Sequence, residues 1–253
     1  EVRDDRLRVL RGLSEAKHQN GHADEMVGFE GNVPADISGC PPLLERIAAA
    51  PVPDAVPSPV AWVGEAVQIK PSPELRFRRQ SGTNLVVVGQ QPEEAFGVLE
   101  AITLSLSAQH PAADGCRFVV CDGSSAEEPS REAWSRLAEA VPQQVGVASP
   151  RKVGEAIGEI ATELARRDCE DDEDAPPIFL VIYHLGRFRD LRPGEDDFGF
   201  GASFGGLDGD EVPSPSQQLA SILRDGPALG VHTLVWCDTY NNATRWLNSQ
   251  VMR

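Results

Sequence analysis

One stretch orders its residues like a known piece of chemistry: Asn84-Leu85-Val86-Val87-Val88-Gly89-Gln90-Gln91-Pro92-Glu93-Glu94-Ala95-Phe96-Gly97. An apolar strand runs into a glycine, a short turn, and a helix expected from about Glu93 to Gln109. That is the arrangement in which a turn at a helix N-terminus cradles phosphates with backbone N–H groups. The side chains that would do the chemistry are different. With Gly89 as the first glycine of G-x-x-x-x-G-K-[ST], the spacer is Gln90, Gln91, Pro92 and Glu93. Glu94 then stands at the second glycine, Ala95 at the lysine, and Phe96 at the hydroxyl that would hold magnesium. The chain's three lysines, Lys17, Lys70 and Lys152, all lie far from Gly89 in sequence, so no small shift of alignment restores one. Glu93 and Glu94 also place negative charge where a phosphate would sit; they answer the helix dipole themselves and repel a triphosphate.

Phosphoryl chemistry further needs a carboxylate at the end of a second buried strand. The apolar run Ile178–Ile182 is that strand, and the acidic positions hold Tyr183 and His184. Lysine, hydroxyl and carboxylate fail together, so ATP hydrolysis by this chain is not expected, and no catalytic residue is assigned. His184 is read as a strand-end histidine rather than an acid/base group. Cys121-Asp122 is read as the start of a turn with Gly123 rather than a reactive pair. His18 and His22 have helical spacing, but no Cys or carboxylate cluster completes a metal site. The run Arg187-Phe188-Arg189-Asp190-Leu191-Arg192 follows the second strand, at the edge where α/β sheets bind ligands. Arg187 and Arg189 there are candidates for phosphate or inter-subunit contacts. A loop salt-bridged to Gly194–Asp197 remains the equal alternative.

Positioning these residues takes an alternation of strands and helices. A helix carries Leu7, Leu10 and Leu13; another opens at Pro41-Pro42. Prolines from Pro51 to Pro59 mark a linker. Strands are expected at Val60–Val63 and Ala66–Ile69, joined at Gly64-Glu65, followed by the basic run Arg76–Arg79. After the opening strand come strand Arg117–Cys121, helix Arg131–Ala140, strand Val145–Val147 and helix Arg151–Arg167. The acidic block Asp168–Asp174 reads as a solvated loop. Strand Ile178–Tyr183, helix Gln217–Leu223, strand Thr233–Cys237 and a helix near Ala243–Asn248 complete the series. Fully apolar strands alternating with helices predict a mostly parallel sheet with helices on both faces. The Gly- and Asp-rich stretch Gly194–Ser216 reads as a long loop. The expected division is a helical appendage and Pro-rich linker over residues 1–59 and an α/β domain over 60–253.

The formal net charge is −16, from 39 acidic and 23 basic residues. Such a surface repels a phosphate backbone, so DNA contact through this chain is not expected. Five cysteines, an odd number without a C-x-x-C pair, read as free and mostly buried thiols in a reducing compartment. No apolar run reaches the roughly 18 residues that cross a bilayer. The first residue is Glu1, which predicts excision from a longer polypeptide.

The opening strand and loop, the strand Ile178–Ile182, and above all Leu219-Ala220-Ser221-Ile222-Leu223-Arg224-Asp225-Gly226-Pro227-Ala228-Leu229-Gly230-Val231-His232-Thr233 resemble the FtsK/SpoIIIE branch of RecA-like P-loop motor ATPases. In that family a helix with a short Arg-Gly segment leads through Ala-x-Gly-Ile/Val-His into the next core strand. The resemblance spans about residues 60–250 and adds Arg224 to the candidate inter-subunit contacts. Where active motors carry a Thr-Gln-Arg-Pro-like sensor, Asp238-Thr239-Tyr240-Asn241-Asn242 stands here. Multi-module relatives, including the membrane-anchored ATPases of type VII secretion, string several such domains together, with degenerate C-terminal copies. The resemblance therefore implies a degenerate ATPase module, itself without cofactor, that scaffolds or regulates a DNA translocase or protein secretion ATPase. ATP and magnesium would belong to the parent's active modules. Adjacent modules, a homo-oligomeric parent and a protein substrate would be its partners, and the module would be cytoplasmic. Two alternatives are a nucleotide-binding domain completed by a neighbouring subunit, and a peptide-recognition module. The latter would use an apolar pocket lined by Ala95, Phe96 and Tyr183.

Overall fold

The computed structural model describes residues 5–6, 8–13, 37–49, 56–64, 70–112, 115–172, 174–194 and 213–247. In chain order its elements are α1 (Pro41–Ala48), β1 (Val60–Trp62), β2 (Glu74–Arg76), β3 (Leu85–Val88) and α2 (Pro92–Ser107). Then follow β4 (Arg117–Asp122), α3 (Ser130–Ala140), β5 (Gln144–Ala148), α4 (Val153–Glu170), β6 (Ile178–Tyr183), α5 (Pro215–Asp225), β7 (Val231–Cys237) and α6 (Tyr240–Trp246). The chain divides into two compact units, one of Glu1–Val33 with Val67–Ile69 and one of Pro34–Ala66 with Lys70–Arg253. All the elements just named belong to the second; within the first, residues 8–13 are helical. Among the described residues no helix is long and apolar enough to cross a membrane.

Five parallel strands form the expected sheet in the order β3-β7-β6-β4-β5. Side chains of a strand alternate between faces, and β6 shows the consequence. Phe179, Val181 and Tyr183 join a core with Leu99, Ile102, Trp134 and Leu137 of α2 and α3. Ile178, Leu180 and Ile182 join a second core with Ile157, Ile160, Leu219 and Ile222 of α4 and α5. Every residue of β6 and β7 is buried, because helices cover both faces there. The sheet is therefore the middle of three layers, and the loops after β3, β4, β6 and β7 gather at one edge.

Two local expectations are corrected. β1 pairs antiparallel with β2, Val60 opposite Arg76 and Trp62 opposite Glu74, so the basic run begins inside a strand. The Ala66–Ile69 strand lies outside the described residues, as do His18, His22 and most of Gly194–Ser216. The acidic block does not begin as a loop: α4 continues through Asp168 to Glu170, and Asp171 closes it in the left-handed region at φ 53°. Arg166 explains this, bonding Glu163, Glu170 and Asp172 together, so the block's charge is partly neutralised by its own helix. These hydrogen bonds, from Arg166 first, hold the Glu163 carboxyl down at about 2.

Candidate functional site

The phosphate-loop position lies where β3 passes into α2, and three residues, Gly89, Gln90 and Gln91, make the whole connection. A segment that short spans roughly 10 Å even when extended. Some of its groups are already engaged. The Gly89 N–H donates to the Cys237 carbonyl at 3.1 Å, and the Ala95 N–H to the Gln91 carbonyl at 3.1 Å. Pro92, the first helical residue, has no N–H to offer. The carbonyls are tied as well: the Trp236 indole Nε1 donates to Gly89 at 3.0 Å, and the Tyr183 hydroxyl to Pro92 at 3.1 Å.

The side chains at the lysine and hydroxyl positions point into protein. Ala95 is 4% exposed. Phe96 meets the Trp134 ring edge-on at 4.9 Å and the Tyr183 ring at 6.1 Å, and Tyr183 lies against Trp236 at 4.8 Å. The apolar pocket expected between Ala95, Phe96 and Tyr183 is consequently filled by an aromatic cluster. Trp134 and Trp236 are the residues that the sequence reading missed. Trp236 meets Tyr183 because the strand order puts β7 between β3 and β6, and Trp134 because α3 packs on the same face of the sheet.

Beside this cluster, His184 takes the left-handed conformation at φ 67°, a costly one for a residue with a Cβ. Its ring stands edge-on to Trp236 at 4.7 Å, and among the described residues its Nδ1 has no hydrogen-bond partner. Burial lowers its pKa and Arg187 lowers it further, while Glu128 and Asp238 oppose the shift. Gly123 explains the backbone here. A Cβ on it would lie 2.6 Å from the Tyr183 carbonyl and 3.0 Å from that of His184. Cys121 is buried with its thiol pushed up to about 12, and Asp122 accepts from the Ser124 N–H at 2.9 Å, so the pair starts a turn as expected. The Asp238 carboxylate accepts from the Thr239 N–H and the Asn242 amide, and Thr239 caps α6. The sensor position is thus a helix start. Hydrogen bonding from Asn242 keeps the Asp238 carboxyl low.

The three candidate arginines separate. Arg187 lies on this edge, 3.5 Å from Glu128, and Arg189 lies exposed two residues on. Arg224 pairs with Asp225 at 2.8 Å on the opposite edge, where the Asn84 amide donates to the Leu223 carbonyl just before β3. Among the described residues no group of three or more His, Cys, Asp or Glu side chains could hold a metal.

Ala228–His232, the segment behind the family resemblance, builds the opposite edge. Gly230 sits at φ 76° with the Arg79 guanidinium where a Cβ would be. Arg167 donates to the Leu229 and Pro176 carbonyls. His232 Nδ1 lies 2.9 Å from the Thr83 carbonyl, and its ring stacks on Phe179 at 5.7 Å.

No family model and no curated protein matches the sequence. Solved structures do match. The cytoplasmic domain of the Thermomonospora curvata type VII secretion ATPase EccC superposes with a TM-score of 0.57 at 13% identity, over 90% of this chain and 26% of that one. ATPases 2 and 3 of EccC from the same organism, solved with a signal sequence peptide, superpose with a TM-score of 0.54 at 13% identity, over 82% of this chain and 39% of that one. This is the RecA-like P-loop NTPase fold. The resemblance read from Leu219–Thr233 is borne out as fold, and the chain spans well under half of the proteins it matches.

Proposed function

We propose that this chain is a catalytically silent ATPase-type module, one that scaffolds or regulates a larger multi-module motor rather than turning over nucleotide. The reading is carried by the two hydrogen bonds from Tyr183 and Trp236 to the Pro92 and Gly89 carbonyls. A phosphate cradle presents N–H donors; here carbonyls are held inward by aromatic donors, and the lysine position is a buried alanine. Repacking several elements would have to precede any phosphate binding. Among motors, a protein secretion ATPase is favoured over a DNA translocase, because the superposed structures are secretion ATPase domains and the net charge of −16 disfavours nucleic acid.

Titration calorimetry with magnesium and ATP tests this on the purified chain. The expected result is no saturable heat and no phosphate release; micromolar binding with turnover overturns the proposal. Adjacent ATPase modules of a homo-oligomeric, cytoplasmic assembly are the proposed partners. Completion of a nucleotide site by a neighbouring subunit would fall to Arg187 and Arg189, since Arg224 is on the wrong edge. The EccC structure with a signal sequence peptide suggests peptide recognition as a further role, but here it would need a surface other than the aromatic-filled loop site.

A further inference from the structure

Helices leave the five parallel strands on two sides. α2 and α3 lie over one face of the sheet, and α4, α5 and α6 over the other. Neighbouring strands therefore send their helices to opposite faces between β3 and β7, between β6 and β4, and between β4 and β5. Open α/β sheets bind ligands in the crevice that such a divergence opens at the carboxyl ends of the strands. The first two crevices are closed. Phe96, Tyr183 and Trp236 fill one; in the other, Gly123 lies so close to the Tyr183 and His184 carbonyls that a Cβ has no room. The third keeps a cavity of about 270 Å³, just beyond the pairing of Cys121 in β4 with Ala148 in β5.

We propose that this third crevice is a binding site for a small zwitterion of amino-acid size. Its lining carries both charges: the Asp122 carboxylate at the end of β4 and the Arg131 guanidinium in the first turn of α3. Hydroxyls of Ser124, Ser135 and Ser149 stand around them, with Val147 to meet a short apolar body. A lone anion would be opposed by Asp122 and a lone cation by Arg131. A ligand with an ammonium at one end and a carboxylate at the other answers both with charge-assisted hydrogen bonds. The acidic end is held in place. Asp122 is 7% exposed, and its Oδ1 accepts the Ser124 N–H at 2.9 Å and the Ser124 hydroxyl at 2.5 Å. Those bonds fix the carboxylate while Oδ2 keeps its acceptor capacity. The Ser124 hydroxyl also lies 2.8 Å from that of Ser130, which bonds Tyr183, so the floor of the cavity is tied to the aromatic cluster. The volume falls just below the roughly 300–1,000 Å³ of pockets for drug-sized ligands, which favours a smaller molecule. The site is separate from the β3–α2 loop, so it stands whether or not the module binds ATP.

Nitrogen–proton correlation NMR of the purified chain, titrated with each L-amino acid in turn, is the test. At least one amino acid should bind saturably and move the amide signals of Ser124, Arg131 and Ser149. Acetate and methylammonium, each carrying one of the two charges, should bind about tenfold more weakly or worse. Asp122→Asn and Arg131→Gln should each weaken the best amino acid by about tenfold or more, the loss expected for one charged hydrogen bond. If Asp122→Asn loses the native spectrum, Arg131→Gln and Ser149→Ala, both at exposed positions, decide instead. The proposal is overturned by no saturable shift up to about 10 mM of any amino acid. Shifts that map elsewhere, acetate binding as tightly as the best amino acid, or binding indifferent to the substitutions overturn it equally.

Discussion

The Tyr183 hydroxyl donates to the Pro92 carbonyl at 3.1 Å and so joins the end of β6 to the first residue of α2. Tyr183→Phe removes that bond together with the hydroxyl's hydrogen bond to Ser130, and keeps the ring against Trp236. It should lower stability by about 1 kcal/mol, read as a fall in the denaturant midpoint at constant m-value. It should not create nucleotide affinity, because Phe96 and Trp236 stay in place.

Grafting back the missing lysine should fail in an informative way. Ala95 is 4% exposed within the Leu99 and Trp134 core. Ala95→Lys forces an ammonium into apolar packing, where a charge is strongly disfavoured. Expression should drop and thermal unfolding should come earlier, with no gain of ATP binding by calorimetry.

Gly123→Ala should destabilise the fold by about 2–3 kcal/mol, as overpacking does. The new methyl has no room, since the Tyr183 and His184 carbonyls already occupy its place. Gly89→Ala is the control, because a Cβ there meets nothing within 4 Å, and its denaturation curve should nearly overlay the parent's.

His232 makes stability depend on pH. Burial, the largest cause, pushes its pKa down to about 4, against an ordinary 6.5. Between those values the unfolded chain binds more protons than the folded one, so unfolding free energy rises with pH. The contribution is complete above pH 6.5 and is lost as pH falls towards 4, amounting to about 3 kcal/mol at most. Melting temperatures from pH 7.5 to 4 should show this slope, and His232→Leu should flatten it while lowering the neutral-pH value.

The apolar runs Ile178–Ile182 and Thr233–Cys237 were legible as strands because burial on both faces selects apolar residues, and Leu85–Val88 as an unbroken apolar run into Gly89. The helix spacing between them fixed a parallel sheet. The loop's departure from a phosphate-binding sequence was also legible, since Ala95 and Phe96 stand where a lysine and a hydroxyl are expected. Trp134 and Trp236 were not, since nothing local distinguishes a tryptophan facing Tyr183 from any other core residue. The antiparallel partner of β1 was misplaced for a related reason. Glu74–Arg76 is only three residues long and two of the three are charged, so its strand character comes from its neighbour rather than from itself.

β1 owes its shape to a helix as much as to β2. The Gln109 side chain, just beyond α2, accepts from the Val60 N–H at 3.0 Å and donates to the Val60 carbonyl, while Ser105 Oγ serves Trp62 in the same way. Two side chains thus stand in for a third strand. In hydrogen–deuterium exchange, the Val60 and Trp62 amides should open together with the last turns of α2, and Gln109→Ala should deprotect them without touching the central sheet. The ribbon is, in dynamic terms, an annex of the helix.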